Sequence, residues 1–154
     1  MKYLDKRKRI SRSYKGERDD ILVSRYRCTN PDCRRIHTEL PDCLVPHKHY
    51  KSEVIENVID EVVCADDEAV GDYPCIRTME RWKKWFEDSK FGIEACLRRF
   101  LFFFFDYDEE VLKSDLSLLS TIRDNDNGWL SIISRVMYNT GYINRMSGVP
   151  PDLT

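Results

Sequence analysis

The pattern of apolar and polar residues divides the chain into a short β-rich part and a longer helical part. After a turn-forming run at residues 16–20, the segment ILVSRYRC is β-branched and partly alternating, which predicts a strand. A preceding strand over about residues 7–14 would pair with it as a β-hairpin. The later segment LPDCLVPHKHY contains two prolines and is expected to be extended and exposed.

Helical periodicity starts near residue 52. Ser52 is expected to cap a helix whose apolar stripe runs over residues 54–63. Glu56, Asp60 and Glu61 are expected on the opposite, solvent-facing side. The acidic segment that follows this helix is turn-like.

A second helix is predicted over about residues 76–88. Met79 and Phe86 follow helical spacing, whereas Arg77, Arg81 and Lys84 lie on a different face. An acidic helix, a short turn and a basic aromatic helix together fit a helix-turn-helix at about residues 52–88, in which the second helix enters the DNA major groove. The alternative is an ordinary amphipathic helix with solvated charges.

The remaining chain predicts further helices. Gly92 is expected to break the chain, and the aromatic run at residues 100–105 is expected to form a buried helix. Another helix is predicted over about residues 109–123. A last helix is predicted over residues 129–140, with Gly141 at its C-terminal cap and with these residues inward: Trp129, Ile132, Ile133, Val136 and Met137.

These elements predict an α+β fold. A small β-hairpin module would occupy residues 1–51, and a mainly helical bundle containing the helix-turn-helix would occupy residues 52–154. The 42% hydrophobic content of the 154 residues is sufficient for a packed core.

The net charge of −2 conceals alternating blocks of opposite sign. Residues 1–51 carry 14 Lys/Arg against 7 Asp/Glu, and residues 73–100 carry 7 against 4. Residues 52–72 carry 8 acidic and no basic side chains, and residues 101–154 carry 8 acidic against 4 basic. A polyanion could bind the basic blocks, although the same pattern is compatible with solvated faces that cancel one another.

The six cysteines are expected to be reduced. No signal peptide is visible at the N-terminus, so a cytoplasmic location is predicted and cysteine pairs favour metal ligation over disulfides. The longest apolar run, residues 100–105, is far too short to cross a bilayer, so no membrane association is expected.

Cys28 and Cys33 enclose the turn formers Asn-Pro-Asp and could fold onto one zinc ion as a knuckle. A closed structural zinc site needs four ligands, so this pair supplies half of them. His37, Cys43, His47 and His49 are the local candidates for the other ligands. The alternative is a pair of reduced, partly buried thiols.

Three segments together carry a family resemblance. They are CxxxxCxRIHxELPDxLVPxKxY, the RTMERWKKWF segment and GWLSIISRVMYNTGYINR. From about residue 9 to residue 147 the chain resembles an uncharacterised bacterial family with a zinc-ribbon-like head and a transposase-like helix-turn-helix. The resemblance implies zinc in the head. Those relatives begin with a further CxxC knuckle that is absent here, so zinc in this chain would need His37, Cys43 or a second chain.

The function expected from the sequence is non-catalytic DNA binding of mobile-element or regulatory type. The residues expected to contact duplex DNA are Arg77, Arg81, Lys83 and Lys84, helped by Arg34, Arg35 and the basic KRKR segment at residues 6–9. An alternative is a protein-interaction module or inhibitor of a host nucleic-acid-processing machine, acting through acidic residues 53–72 and 106–115. Enzyme activity is not expected, because a nuclease core needs more chain than remains here. A homo-oligomer is left open.

Overall fold

The chain folds as an α+β protein, as predicted. In the residues that the computed structural model describes, 1–63, 74–105 and 115–142, three strands precede four helices. The strands are β1 (Lys2–Arg12), β2 (Arg18–Arg27) and β3 (Ile36–Thr38), and they form one antiparallel sheet in the order β1-β2-β3. The helices are α1 (Ser52–Ile59), α2 (Ile76–Phe105), α3 (Leu118–Asn125) and α4 (Trp129–Asn139).

The predicted hairpin is confirmed, but its first strand starts earlier than expected. β1 begins at Lys2, opposite Arg27, and ends with Arg12 opposite Arg18. Gly16 lies in the connecting turn with a φ of 73°, a conformation that glycine adopts without steric cost. The register shifts between Tyr3 and Asp5, which leaves one extra residue in β1 as a bulge.

The third strand was not predicted, and the segment after it is not exposed. Leu44 and Val45 are each only 1% exposed, and Val45 belongs to the main hydrophobic core. Two short turns explain the difference. The Leu44 N–H donates to the Pro41 carbonyl at 3.0 Å, and the Lys48 N–H donates to the Val45 carbonyl at 3.1 Å. The prolines therefore help to turn the apolar residues between them towards the helices.

Helix α1 buries the predicted apolar stripe through Val54, Ile55 and Val58. Its predicted start and end are wrong. Ser52 is the first helical residue and not a cap, because Lys51 holds the N-cap position without a side-chain hydrogen bond. The helix ends at Ile59, so Val62 leaves the stripe and is exposed.

The acidic side of α1 is also not the solvated face that was expected. Glu56 is buried, and its carboxylate accepts the N–H groups of Gly128 at 2.7 Å and Leu130 at 3.0 Å. Asp60 is half-buried and accepts the indole N–H of Trp129 at 2.8 Å. Only Glu61 of the three is exposed as predicted. The two inward carboxylates connect α1 to the start of α4.

Helix α2 is uninterrupted, which corrects two predictions. The helix has 30 residues, which is about 45 Å at the usual rise per residue. It does not end near residue 88, and Gly92 does not interrupt it. Its C-terminal aromatic run is helical but not buried, because Phe103, Phe104 and Phe105 are 65%, 70% and 60% exposed. The inward stripe of α2 consists of Met79, Trp82, Phe86, Ser89, Ile93, Cys96 and Leu97.

The last two helices agree in part with the sequence. α3 begins at Leu118, and the earlier half of the helix predicted over residues 109–123 lies outside the described residues except for Asp115, Leu116 and Ser117, which are not helical. α4 buries Trp129, Ile133 and Met137 as predicted, but Ile132 is exposed. Gly141 has a φ of 72° and closes α4, with the Tyr142 N–H donating to the Met137 carbonyl, so the predicted cap is confirmed.

Residues 64–73, which would hold the turn of the predicted helix-turn-helix, lie outside the described residues. That motif therefore stays a prediction. Within the described ranges, no helix combines the length and the apolarity needed to cross a membrane.

Candidate nucleic-acid interface

The first third of α2 presents a stripe of basic side chains to solvent. Arg77, Arg81 and Lys84 are all exposed, and their spacing of four and then three residues places them on one side of the helix. Arg81 donates to the hydroxyl of Thr78 at 3.3 Å. The Lys84 amine lies 3.0 Å from the Asp88 carboxylate, an exposed pair that water screens strongly. We call these three residues the α2 basic stripe.

A lysine from the loop after the sheet extends the α2 basic stripe. The Lys48 amine lies 4.9 Å from the centre of the Trp85 ring, a cation–π distance. Partial burial lowers the pKa of Lys48, and the positive charge of Arg81 lowers it further. The charge of Lys48, held over the Trp85 ring, and the charge of Arg81 therefore repel one another. An anion placed between them would relieve that repulsion, so the arrangement favours phosphate.

His47, next to Lys48, adds a titratable group to this surface. Burial lowers the pKa of His47, and the charges of Arg9 and Lys48 lower it further. The imidazole is thus held in its neutral form by its surroundings. A bound phosphate would offset those charges and favour the protonated form.

The other predicted contact residues lie elsewhere. Lys83 is on a different side of α2 and forms an ion pair of 2.9 Å with Glu61, just beyond α1. Arg34 and Arg35 are exposed in the loop between β2 and β3. Among the described residues, no hydrogen bond or ion pair joins that loop to α2. The structure thus brings together Arg77, Arg81 and Lys84 but separates them from Lys83, Arg34 and Arg35.

Cys28 and Cys33 lie at the two ends of the same tight loop. The Cys28 N–H donates to the Arg35 carbonyl at 2.9 Å, and the Cys33 N–H donates to the Asn30 carbonyl at 3.2 Å. The Arg35 N–H and the Cys28 thiol both donate to the Cys33 sulfur. Both hydrogen bonds lower the pKa of the Cys33 thiol, the one from Arg35 more strongly. Arg34 adopts a φ of 45°, the left-handed turn that aims the Arg35 N–H back at the sulfur.

This knuckle has the donor chemistry for zinc at two positions. Thiolate sulfurs that accept backbone N–H groups suit Zn²⁺, which takes four ligands in a structural site. The described residues contain no cluster of three or more potential ligands. His37 lies on β3 opposite Tyr26, whereas Cys43 is close enough to affect the pKa of Arg9, which bonds to the carbonyls of Val45 and Lys48. The described residues thus fit half of a zinc site.

His47, Lys48 and Trp85 form one surface that was not predicted from the sequence. Lys48 was visible as a basic residue, and Trp85 lies one helical turn after Arg81. Only the burial of Leu44 and Val45 brings the loop against α2, however, and no periodic pattern signals that contact. The one local signal of this contact is the sequence Leu-Val-Pro, in which two apolar residues precede a proline.

The fold and this surface define a small α+β protein with a basic stripe on α2 and, on a separate part of its surface, a cysteine knuckle. The profile of a family described as a domain of unknown function, DUF6431, matches residues 1–82, just over half of the chain, and the chain belongs to that family. The match includes the knuckle, Lys48 and α2 as far as Trp82. No curated protein and no solved structure matches the chain.

Proposed function

We propose that this protein binds duplex DNA without catalysing a reaction, as a component of a mobile element or a regulator. The observation that carries the proposal is the α2 basic stripe with Lys48 held against Trp85 beside it. An exposed helix side of this kind fits the DNA major groove, where its cations reach phosphates and base edges. The proposal includes the two features that the sequence resemblance implies, a zinc-ribbon-like head and a transposase-like helix-turn-helix.

Lys83 has a different role in this proposal. Its ion pair with Glu61 connects the end of α1 to α2, so we assign it to helix positioning and not to DNA contact. Arg34 and Arg35 would reach DNA only from a separate part of the surface. The alternative of an acidic interaction surface stays a prediction, because most of residues 53–72 and 106–115 lie outside the described ranges. Of the described acidic residues, Glu56 and Asp60 are used in internal hydrogen bonds, whereas Glu53 and Glu61 are exposed.

The test is fluorescence anisotropy of a labelled random duplex with the purified chain, repeated over a salt series. We expect binding at low salt that weakens steeply as salt rises, because cations on the protein release counterions from the phosphates. The variant R81E/K84E should lose duplex binding while keeping the wild-type melting temperature, since both side chains are exposed. K48Q should weaken binding and flatten the salt dependence by about one counterion.

The matched control is K15E/R27E, which changes the net charge by the same amount at two exposed sites of the β-hairpin, outside α2. It should bind almost as tightly as the wild type. Equal loss in the control and in R81E/K84E would reduce the effect to net charge alone. Absence of wild-type binding at low salt would reject the DNA proposal and turn attention to a protein partner, sought by pull-down.

We also propose that the Cys28–Cys33 knuckle binds zinc, with the remaining ligands supplied by residues outside the described ranges or by a second copy of the chain. Metal analysis of the purified protein should find zinc, and C28S/C33S should remove it. A content of one zinc per chain would favour the first source of ligands, and one per two chains the second. Wild-type protein without zinc after purification under reducing conditions would contradict the proposal.

A further inference from the structure

One face of the sheet carries a row of three aromatic side chains. Tyr3, Tyr26 and His37 lie directly opposite one another on β1, β2 and β3, so their side chains project from the same face. Neighbouring strands are about 4.8 Å apart, so the row spans roughly 10 Å. Tyr3 is 55% exposed, His37 is exposed and Tyr26 is half-buried. The two tyrosine rings meet edge to face, with centroids 6.0 Å apart.

This face of the sheet is the one opposite the buried side chain of Val23. Side chains alternate along β2, and Val23, on the other face, is buried. Arg9 projects from the Val23 side and donates to the carbonyls of Val45 and Lys48 in the loop that packs on the helices. Leu22, on the same face as Tyr26, is 63% exposed. We call the side that carries Tyr26 and Leu22 the open face of the sheet. The β3 end of the aromatic row borders α4 there, because Tyr26 and His37 line one pocket with Arg135 and Asn139.

The rest of the open face is basic. The strand register places four cations there, Lys6, Lys8, Arg12 and Arg18. Two acidic residues lie on this face in the described residues. Asp20 pairs with Lys8 at 2.7 Å and Arg18 at 3.4 Å, and Glu39 is exposed two residues after His37. Beyond the aromatic row, the β2–β3 loop adds the exposed Arg34 and Arg35. Positive charge thus lies on both sides of the rings.

We propose that the open face of the sheet binds single-stranded nucleic acid. Bases would stack on Tyr3 and His37, and phosphates would lie along Lys6 on one side and along Arg34 and Arg35 on the other. Sequence-tolerant single-strand binding uses this combination, exposed aromatic rings within a basic track. A duplex cannot use the rings, because its bases are already stacked on one another inside the helix.

This inference goes beyond the duplex proposal, since it concerns a different surface and a different ligand. It also gives Arg34 and Arg35 a role in nucleic-acid recognition. They have no such role at the α2 basic stripe, because they lie on a separate part of the surface. A protein that holds a duplex on one side and a separated strand on the other would suit nucleic acid that is being opened.

The experiment is anisotropy of a fluorescein-labelled oligothymidine of about 15 nucleotides, compared with a duplex of the same length. Y3L/H37L should weaken oligothymidine binding at least about tenfold and change duplex binding less than about twofold. Y3F/H37F keeps the rings and should retain most of the affinity. Y14L removes an exposed tyrosine in the hairpin turn and is the matched control, expected to bind like the wild type.

A measurement without variants supplements these affinities. Photo-crosslinking of an oligonucleotide that contains 5-iodouracil, followed by mass spectrometry, should label Tyr3, Tyr26 or His37. Labelling confined to residues of α2 would overturn the inference.

Three binding results would also overturn it. They are no oligothymidine binding by the wild type, equal binding by Y3L/H37L, and equal losses in Y3F/H37F and Y3L/H37L. A loss of oligothymidine binding in R81E/K84E as large as in Y3L/H37L would move the strand to α2. Loss of duplex binding alone in R81E/K84E would leave both proposals standing. Oligothymidine binding without wild-type duplex binding would reject only the duplex proposal.

Discussion

Two glutamates, Glu56 and Glu94, cap helices to which they do not belong. The first N–H groups of a helix have no partner within it and carry partial positive charge. Glu56 of α1 accepts such groups at the start of α4. Glu94 of α2 accepts the N–H groups of Leu118 at 3.0 Å and Leu119 at 2.9 Å at the start of α3. Each carboxylate thus fixes the position of a neighbouring helix.

Glu94 provides a prediction about pH. Burial alone would raise the pKa of Glu94, but the N–H groups of Leu119 and Leu118 and the charge of Arg98 lower it below the ordinary value of 4.5. The folded state therefore binds this proton less readily than the unfolded state does. The stabilisation is present above about pH 4.5 and is lost as the pH falls through the lower folded pKa. The melting temperatures of wild type and E94Q should differ at pH 7, and this difference should shrink as the pH falls below 4.5.

The same melting curves contain the control. E87Q replaces an exposed glutamate of α2 that pairs only with the adjacent turn, through Lys90 at 2.6 Å. It should match the wild type throughout the pH range. A difference between E94Q and wild type that does not shrink on acidification below pH 4.5 would show that the carboxylate charge is not responsible.

Two buried tryptophans give the largest expected stability effects. W82A and W129A should each lower the free energy of unfolding by about 3–5 kcal/mol, because each leaves a cavity in the core. W129A also leaves Asp60 without its indole donor. Denaturant titration monitored by circular dichroism measures both values. Native-like stability of either variant would show that the packing at that position is misassigned.

At the level of elements, α2 explains why Gly92 was misread. Glycine within a helix costs about 1 kcal/mol relative to alanine, which favours a break on local grounds. The inward stripe continues at helical spacing across this position, from Ser89 to Ile93 and Cys96, and packing outweighs that cost. The Tyr142 hydroxyl approaches α2 at Gly92. It comes so close that a Cβ at position 92 would overlap it. Gly92 thus leaves space for Tyr142, which follows the C-terminus of α4.

This contact can be measured as a coupling between two positions. G92A alone should be neutral or destabilising, because the gain in helix propensity is offset by displacement of Tyr142. In a Y142A background the same G92A change should stabilise by up to about 1 kcal/mol. A double-mutant cycle from chemical denaturation gives the coupling energy. Additive effects would mean that Tyr142 does not approach Gly92 in solution.

The elements also show what a sequence can and cannot predict. The hairpin, the α1 stripe and α4 follow from period-2 or period-3.6 patterns that are local, and so does the Gly141 cap. β3 and the loop after it were missed because three residues of strand and two proline turns leave no periodic signal. Of the candidate site, the α2 basic stripe follows from spacing alone. The approach of Lys48 to Trp85 depends on tertiary packing that no local pattern encodes.

Across the whole molecule, the boundary predicted at residue 51 is bridged by internal contacts. Val45 lies in the same core as α1, α2 and α4. The Tyr138 hydroxyl of α4 donates to the Thr38 carbonyl of β3, and Arg9 of β1 bonds to the loop that carries Val45. Sheet and helices therefore share their stabilising contacts.

We expect one cooperative unfolding transition as a result. Differential scanning calorimetry should give a ratio of calorimetric to van't Hoff enthalpy of about 1. R9Q removes the guanidinium bridge and should shift the whole transition without splitting it. A second transition, or a clearly larger ratio, would show that residues 1–51 unfold independently of the helices.

The continuity of α2 has a practical consequence for the family segment. Residues 1–82 stop about two turns into this helix, before Phe86 and before the whole of α4. A recombinant fragment cut there would leave α1 without the aromatic partners that cover its apolar side, and we expect it to aggregate on expression. In this chain the family segment is thus a sequence unit whose hydrophobic side is covered by residues that follow it, Phe86 and Trp129 among them.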